Sequence, residues 1–164
     1  MNKLSTKFSE LLFSNFPQFR EYLTIKSYND FNDDFLINQK ELENKFGIIE
    51  DDDYRKEGGY LELEIPHGEE VFNILTIDNE ITIGFSWYHI HFNSNKIVEA
   101  VNFIKDLINE NIIIVAEVNN GMNRSCRYIR KEDIGNLKRK IDDEEIDCIN
   151  VKSWHGTYNQ SVTI

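Results

Sequence analysis

Cysteine and proline are almost missing from this chain, with two of each in 164 residues. Cys126 and Cys148 lie far apart and form no CxxC pair. That spacing argues against a zinc ribbon or a disulfide framework and leaves two free thiols in a reducing compartment as the expectation. Basic residues are scarce relative to acidic ones, 18 against 29, for a net charge of −11. Such a surface repels phosphate backbones and anionic lipid, so neither nucleic acid nor a membrane is expected as a direct partner, whereas a basic protein is. Long hydrophobic runs are missing too. The longest, 112–116, is far short of a membrane span. Ser9, Glu10 and Ser14 interrupt the N-terminal segment where a signal peptide needs a continuous apolar stretch. A cytoplasmic location follows as an expectation.

Catalytic signatures are equally sparse. There is no GxSxG, no P-loop, no GxGxxG and no HExxH. No enzymatic activity and no cofactor are therefore expected. What the chain does have is core material. Apolar residues make up 40% and aromatics 12%, with eleven Phe and seven Tyr. The length fits one domain spanning 1–164.

The densest stretch is 81–92, ITIGFSWYHIHF. Ile81, Ile83, Phe85 and Trp87 alternate with Thr82, Gly84, Ser86 and Tyr88, the period of a half-buried strand. From Tyr88 on both faces carry bulk, with His89 and His91 continuing the Trp87 face. The stretch reads as one strand in the middle of a sheet.

Around it the chain reads as follows. Residues 5–16 form an amphipathic helix capped by Ser5 and ended by Pro17. A short strand covers 22–25. A helix over 39–46 starts at a capping box, Asn38 with Glu41, and stops at Gly47. Glu50 to Asp53 and the Gly58-Gly59 pair make a loop. Leu61, Leu63 and Ile65 face inward from a strand ended by Pro66, with Glu62 and Glu64 outward. Residues 71–77 form the next strand, and Asp78-Asn79 turns into the 81–92 stretch, giving an antiparallel meander. A helix begins after Asn93, Ser94 or Asn95, with Ile97, Val101, Ile104 and Ile108 in one stripe and Val98 and Leu107 beside it. Residues 112–118 form an interior strand, because they have almost no polar face at their start. Asn119-Asn120-Gly121 turns the chain back along 122–129. A short charged helix over 131–141, weakened by Gly135, precedes a hairpin of 146–154 and 157–164 around His155-Gly156. The sum is an α+β fold, a mainly antiparallel sheet with an N-terminal helix and a central amphipathic helix packed on it.

Three groups of residues can be weighed for function. His89 and His91 stand two apart on a strand, so their imidazoles point the same way and could share a metal in a small metal-dependent enzyme; a third ligand is not apparent nearby, and hydrogen-bonded core or rim histidines are the simpler reading. The run 50–53 lacks the alternating donors and central glycine of an EF-hand and reads as a solvated loop. The exposed acids Asp51, Asp52, Asp53, Glu62, Glu64, Asp142, Asp143, Glu144 and Glu145 could together present the charge that a basic nuclease groove expects of phosphate, steering encounter and fixing orientation.

The run Ile81-Thr82-Ile83-Gly84-Phe85, then Tyr88-His89-Ile90-His91-Phe92 and a helix from Asn95, resembles a segment of immunity proteins from bacterial polymorphic-toxin and contact-dependent growth inhibition systems. In that segment a TVGF-like strand leads to a YHxHF-like end, an amphipathic helix rich in Ile and Val, and an interior strand like IIIVAEV. The resemblance covers 81–118; where the pattern has an acidic residue after the Phe, this chain has Ser86. It implies a cytoplasmic antidote that binds the C-terminal domain of a cognate toxin, commonly a nuclease, and covers its active or substrate-binding surface. The resemblance carries over no interface residue, so the acids named above rest on charge alone. A protein-interaction module without a toxin partner is the remaining alternative.

Overall fold

The computed structural model describes residues 1–26, 60–68, 70–77, 79–140 and 146–164. The expected helix over 39–46 and the loop over 50–59 lie outside them. So do seven of the nine candidate acids: Asp51, Asp52, Asp53, Asp142, Asp143, Glu144 and Glu145.

The first helix, α1, is Lys3–Asn15. Its cap is Asn2 rather than Ser5: the Asn2 side chain accepts from the Ser5 backbone N–H at 2.7 Å. Ser5 lies inside the first turn instead. It is buried, and its hydroxyl meets Thr76 Oγ1 at 2.6 Å. Pro17 stops α1 as expected and opens a 3-10 helix, Pro17–Tyr22.

Five strands follow: β1 (Leu23–Lys26), β2 (Tyr60–His67), β3 (Glu70–Ile77), β4 (Glu80–Phe85) and β5 (Tyr88–Asn93). They pair antiparallel in chain order, so the expected meander holds. Two expectations fail within it. β2 continues through Pro66 to His67; β1 pairs only with 60–63, so Pro66 lies where β2 has no neighbour on that side among the described residues. The 81–92 stretch is not one strand but a hairpin. Phe85 pairs with Tyr88, and Ser86-Trp87 form the turn. Among the described residues β5 is accordingly an edge of the sheet, not its middle.

The turn escapes sequence patterning because neither of its residues is Gly or Asn. Ser86 has φ 54°, while Trp87 does not have positive φ. A turn with positive φ at the first position alone favours glycine there. Ser86→Gly is expected to relieve about 1 kcal/mol of backbone strain. It also loses the Ser86 hydroxyl bond to Glu70 at 3.2 Å. The expected net is a gain of about 0.5 kcal/mol in a urea melt with unchanged slope; a net loss would show that the Glu70 bond outweighs the strain.

The second helix, α2, is Ile97–Ile108. Ala100, Val101, Ile104 and Leu107 form its buried face, and Val98 is exposed. No side chain caps its start; Lys96 N–H donates to Asn93 O at 2.8 Å. Four more strands form a second antiparallel sheet in the order β7-β6-β8-β9: β6 (Ile112–Asn119), β7 (Met122–Arg130), β8 (Cys148–Lys152) and β9 (Gln160–Thr163). The expected interior strand is thus β6, and the expected final hairpin is β8 with β9. Asn120 (φ 50°) and Gly121 (φ 75°) make the turn between β6 and β7, both in the left-handed region that suits a tight hairpin. Residues Lys131–Lys140 form a 3-10 helix. Its three-residue turn stacks Ile134 and Leu137 in line, and both pack on the second sheet.

The α+β class therefore holds, with strands divided between two sheets. The main core joins α1, α2, the inward residues of the first sheet and, from the second, Ile112, Ile114 and Trp154. On the other face of β6, Ile113 and Val115 pack with Ile149, Val151 and Leu137. Hydrophobic cover on both faces explains why β6 has almost no polar alternation. The edges β5 and β7 also approach through aromatic rings, with Tyr88 and Tyr128 centroids 6.0 Å apart and Phe103 5.4 Å from Tyr128. No helix among the described residues is long and apolar enough to cross a membrane.

Candidate protein-binding face

Strand alternation sends one set of residues into the core and the other set outward. The inward set is Leu61, Leu63, Phe72, Ile74, Ile81 and Ile83, all in the core that holds α1 and α2. The outward set forms cross-strand rows. One is Glu64, Asn73, Gly84 and His89; the next is Glu62, Leu75, Thr82 and His91. Among the described residues no helix packs on this outer face.

Glu62 and Glu64, both candidate acids from the sequence, stand side by side there. Glu62 forms an ion pair with Lys26. That carboxylate bond holds the Lys26 ammonium above its usual range. Glu64 is exposed. Beside them a depression of about 360 Å³ runs across the sheet, lined by Glu62, Glu64, Asn73, Gly84, Trp87 and His89 among others.

His89 and His91 do share a face, with ring centroids 5.1 Å apart. It is not the Ile83–Phe85 face. The Ser86-Trp87 turn reverses the chain and places His89 opposite Gly84 and His91 opposite Thr82, on the open side. His91 Nδ1 lies 2.6 Å from Glu80 Oε1 and 3.1 Å from Thr82 Oγ1. Its proton therefore belongs on Nδ1, donated to the carboxylate. Among the described residues no three His, Cys, Asp or Glu side chains are grouped to hold a metal.

A larger cavity, about 510 Å³, opens where the β2–β3 hairpin meets the 153–159 loop. Its lining includes His67, Glu70, Lys152, Trp154 and His155. Lys152 Nζ pairs with Glu70 Oε1 at 2.8 Å and sits 5.6 Å from the Trp87 ring centroid. His67 Nε2 meets the Trp154 carbonyl oxygen and so carries the hydrogen.

The loop is anchored by a residue the sequence reading passed over. Glu110 follows α2 with φ 53°, at the left-handed position usually filled by glycine. Its N–H donates to Leu107 O at 3.0 Å, and Asn111 N–H donates to Asp106 O at 2.8 Å, completing a Schellman motif. The side chain explains a non-glycine there. At 8% exposure, Glu110 Oε1 accepts from the backbone N–H groups of His155 at 2.8 Å and Thr157 at 3.4 Å. Burial works against its charge, but these bonds and the hydroxyls of Thr157 and Ser153 outweigh it and hold the carboxyl below its ordinary range. The stabilisation from a depressed value is complete above the ordinary glutamate value of 4.5 and is lost as pH falls through the folded value. Glu110→Gln is expected to cost about 1–2 kcal/mol at neutral pH. In urea melts the gap between the two chains should narrow only as pH falls below 4.5 and close once the pH is below the depressed folded value; a gap independent of pH would assign the cost to packing.

Both cysteines are free, and burial followed by the Glu117 charge pushes the Cys126 thiol up. No protein-family model matches the chain, and searches of curated proteins and of solved structures return no match.

Proposed function

We propose that this chain is an immunity protein that binds a cognate toxin domain, most simply a basic nuclease, and covers its active or substrate-binding surface. The observation that carries the proposal is the outer face of the first sheet, on which no helix packs among the described residues and which presents Glu62 and Glu64 beside a depression in a chain of net charge −11. An acidic sheet face of this kind suits a basic partner: it speeds encounter and fixes orientation while repelling nucleic acid itself. The segment that resembles immunity proteins agrees with this division of labour. It forms β4, β5, α2 and β6, and its inward residues build the core. Its outward residues Thr82, His89 and His91 help form the face, where sequence can vary without disturbing the fold, and Gly84 lies between them. A cytoplasmic location and the absence of catalysis and of a cofactor belong to the same reading.

The test is co-expression with the product of the adjacent gene. An upstream reading frame ending in a basic toxin domain should be lethal alone and tolerated with this chain present. Failure both to bind and to protect would end the proposal. The shared face of His89 and His91 is what a metal-dependent enzyme would use; stoichiometric metal in the purified protein, with an activity lost in His89→Ala, would favour that reading instead.

A further inference from the structure

We infer that the depression on the outer face is a socket for an arginine side chain of the basic partner. The inference deepens the proposed function and rests on it for the identity of the protein that carries the arginine.

The shape comes first. Gly84 has no side chain, and Asn73 lies across it: a β-carbon at 84 would stand 2.1 Å from Asn73 Oδ1. Asn73 therefore fills the space that a side chain at 84 would take, and its amide lines the hollow beside Gly84. The walls differ in chemistry. Glu62 and Glu64 rise from β2 on one side; Trp87, 36% exposed, and His89 stand on the other. Lys152, from the neighbouring cavity, lies over the Trp87 ring, so a cation in the depression meets the part of the indole that Lys152 leaves exposed.

The occupant follows from those walls. Glu62 is already paired with Lys26, so the exposed Glu64 carboxylate is the group that rejects an anion and favours a cation. An amide floor and an aromatic wall favour a planar cation over a spherical one. Guanidinium is planar and delocalised, pairs with carboxylates through a fork of N–H donors and stacks on indole. An ammonium would use the carboxylate but gain less from the floor and ring.

The test needs no toxin. The full chain, labelled with nitrogen-15, is titrated with the capped tripeptide acetyl-Gly-Arg-Gly-amide and with its citrulline and lysine counterparts. The arginine peptide should give saturable shifts at the Gly84 amide and the Trp87 indole N–H. It should bind about tenfold tighter than the citrulline peptide and measurably tighter than the lysine one. Glu64→Gln should weaken it about fivefold. Gly84→Thr, which adds a strand-favouring residue and lifts Asn73, should remove the response; Glu64→Gln carries the test if that variant does not fold. Equal binding of the citrulline or lysine peptide, unmoved Gly84 and Trp87 signals, or an indifferent Glu64→Gln would each overturn the socket. The two proposals fail separately. An arginine-filled socket in a chain that ignores the neighbouring gene product retires the toxin reading alone. Toxin binding unaffected by Glu64→Gln and Gly84→Thr retires the socket alone.

Discussion

Trp154→Ala is expected to lower the stability of the chain by about 3–5 kcal/mol, the range for deleting a buried large aromatic. Trp154 follows β8, in the second sheet, yet belongs to the core of the first. It is 8% exposed, and its ring centroid lies 4.1 Å from His67, 5.1 Å from Phe72 and 5.4 Å from Phe85. The indole therefore ties the 153–159 loop to β2, β3 and β4. Its removal deletes contacts on three strands at once and enlarges the cavity beside it. Because that cavity opens to solvent, water can fill part of the void, which points to about 3 kcal/mol rather than 5. Chemical denaturation measures the loss. Trp154→Phe should lose less than half as much as the alanine variant, because a ring still reaches Phe72. A loss below about 1 kcal/mol for alanine would mean that the two sheets are held together elsewhere, for example by the Tyr88, Phe103 and Tyr128 rings.

Charge reversal on the outer face is expected to have the largest effect on binding. Glu64→Lys should weaken association with the basic toxin domain by about tenfold at low salt, mostly through a slower on-rate. The same change should leave the thermal melt of the free chain nearly unmoved, since Glu64 is exposed. Glu62→Lys should weaken binding similarly but is the less clean probe, because it sets a second lysine against Lys26. Both effects should shrink as salt rises and the Debye length falls from about 10 Å to a few ångströms. Equal affinity of wild type and Glu64→Lys at low salt would remove this face from the interface.

Much of the fold was legible because local period and burial agree. The alternation of Leu61, Leu63 and Ile65 with Glu62 and Glu64 gave both the strand and its outward acids. The Ile97 to Ile108 stripe gave α2, and the unbroken apolar start of β6 gave an interior strand. What could not be read depends on contacts distant in sequence or on backbone states that unusual residues occupy. Ser86-Trp87 turns the chain without glycine or asparagine, so the alternation of 81–85 ran on through 92 and assigned His89 and His91 to the wrong face. The division into two sheets depends on β6 pairing with β8 some thirty residues later, which no local pattern encodes. Glu110 had one faint signal, a helix ending in Asn109-Glu110-Asn111 with no glycine.

The site divides the same way. Glu62 and Glu64 were found from the period of two. The floor of the depression was not, because Asn73 and Gly84 are neighbours only once β3 and β4 are in register. Trp87 was expected on a strand face and is found at a turn, where it lines the depression and contacts Lys152.

The most direct test of the central claim, that this molecule acts by covering a basic protein surface, is calorimetric titration of the full chain with the toxin domain encoded beside it. At about 50 mM salt, saturable one-to-one binding is expected, weakened at least about tenfold at about 500 mM. No heat of binding at either salt, or an affinity indifferent to salt, would contradict it.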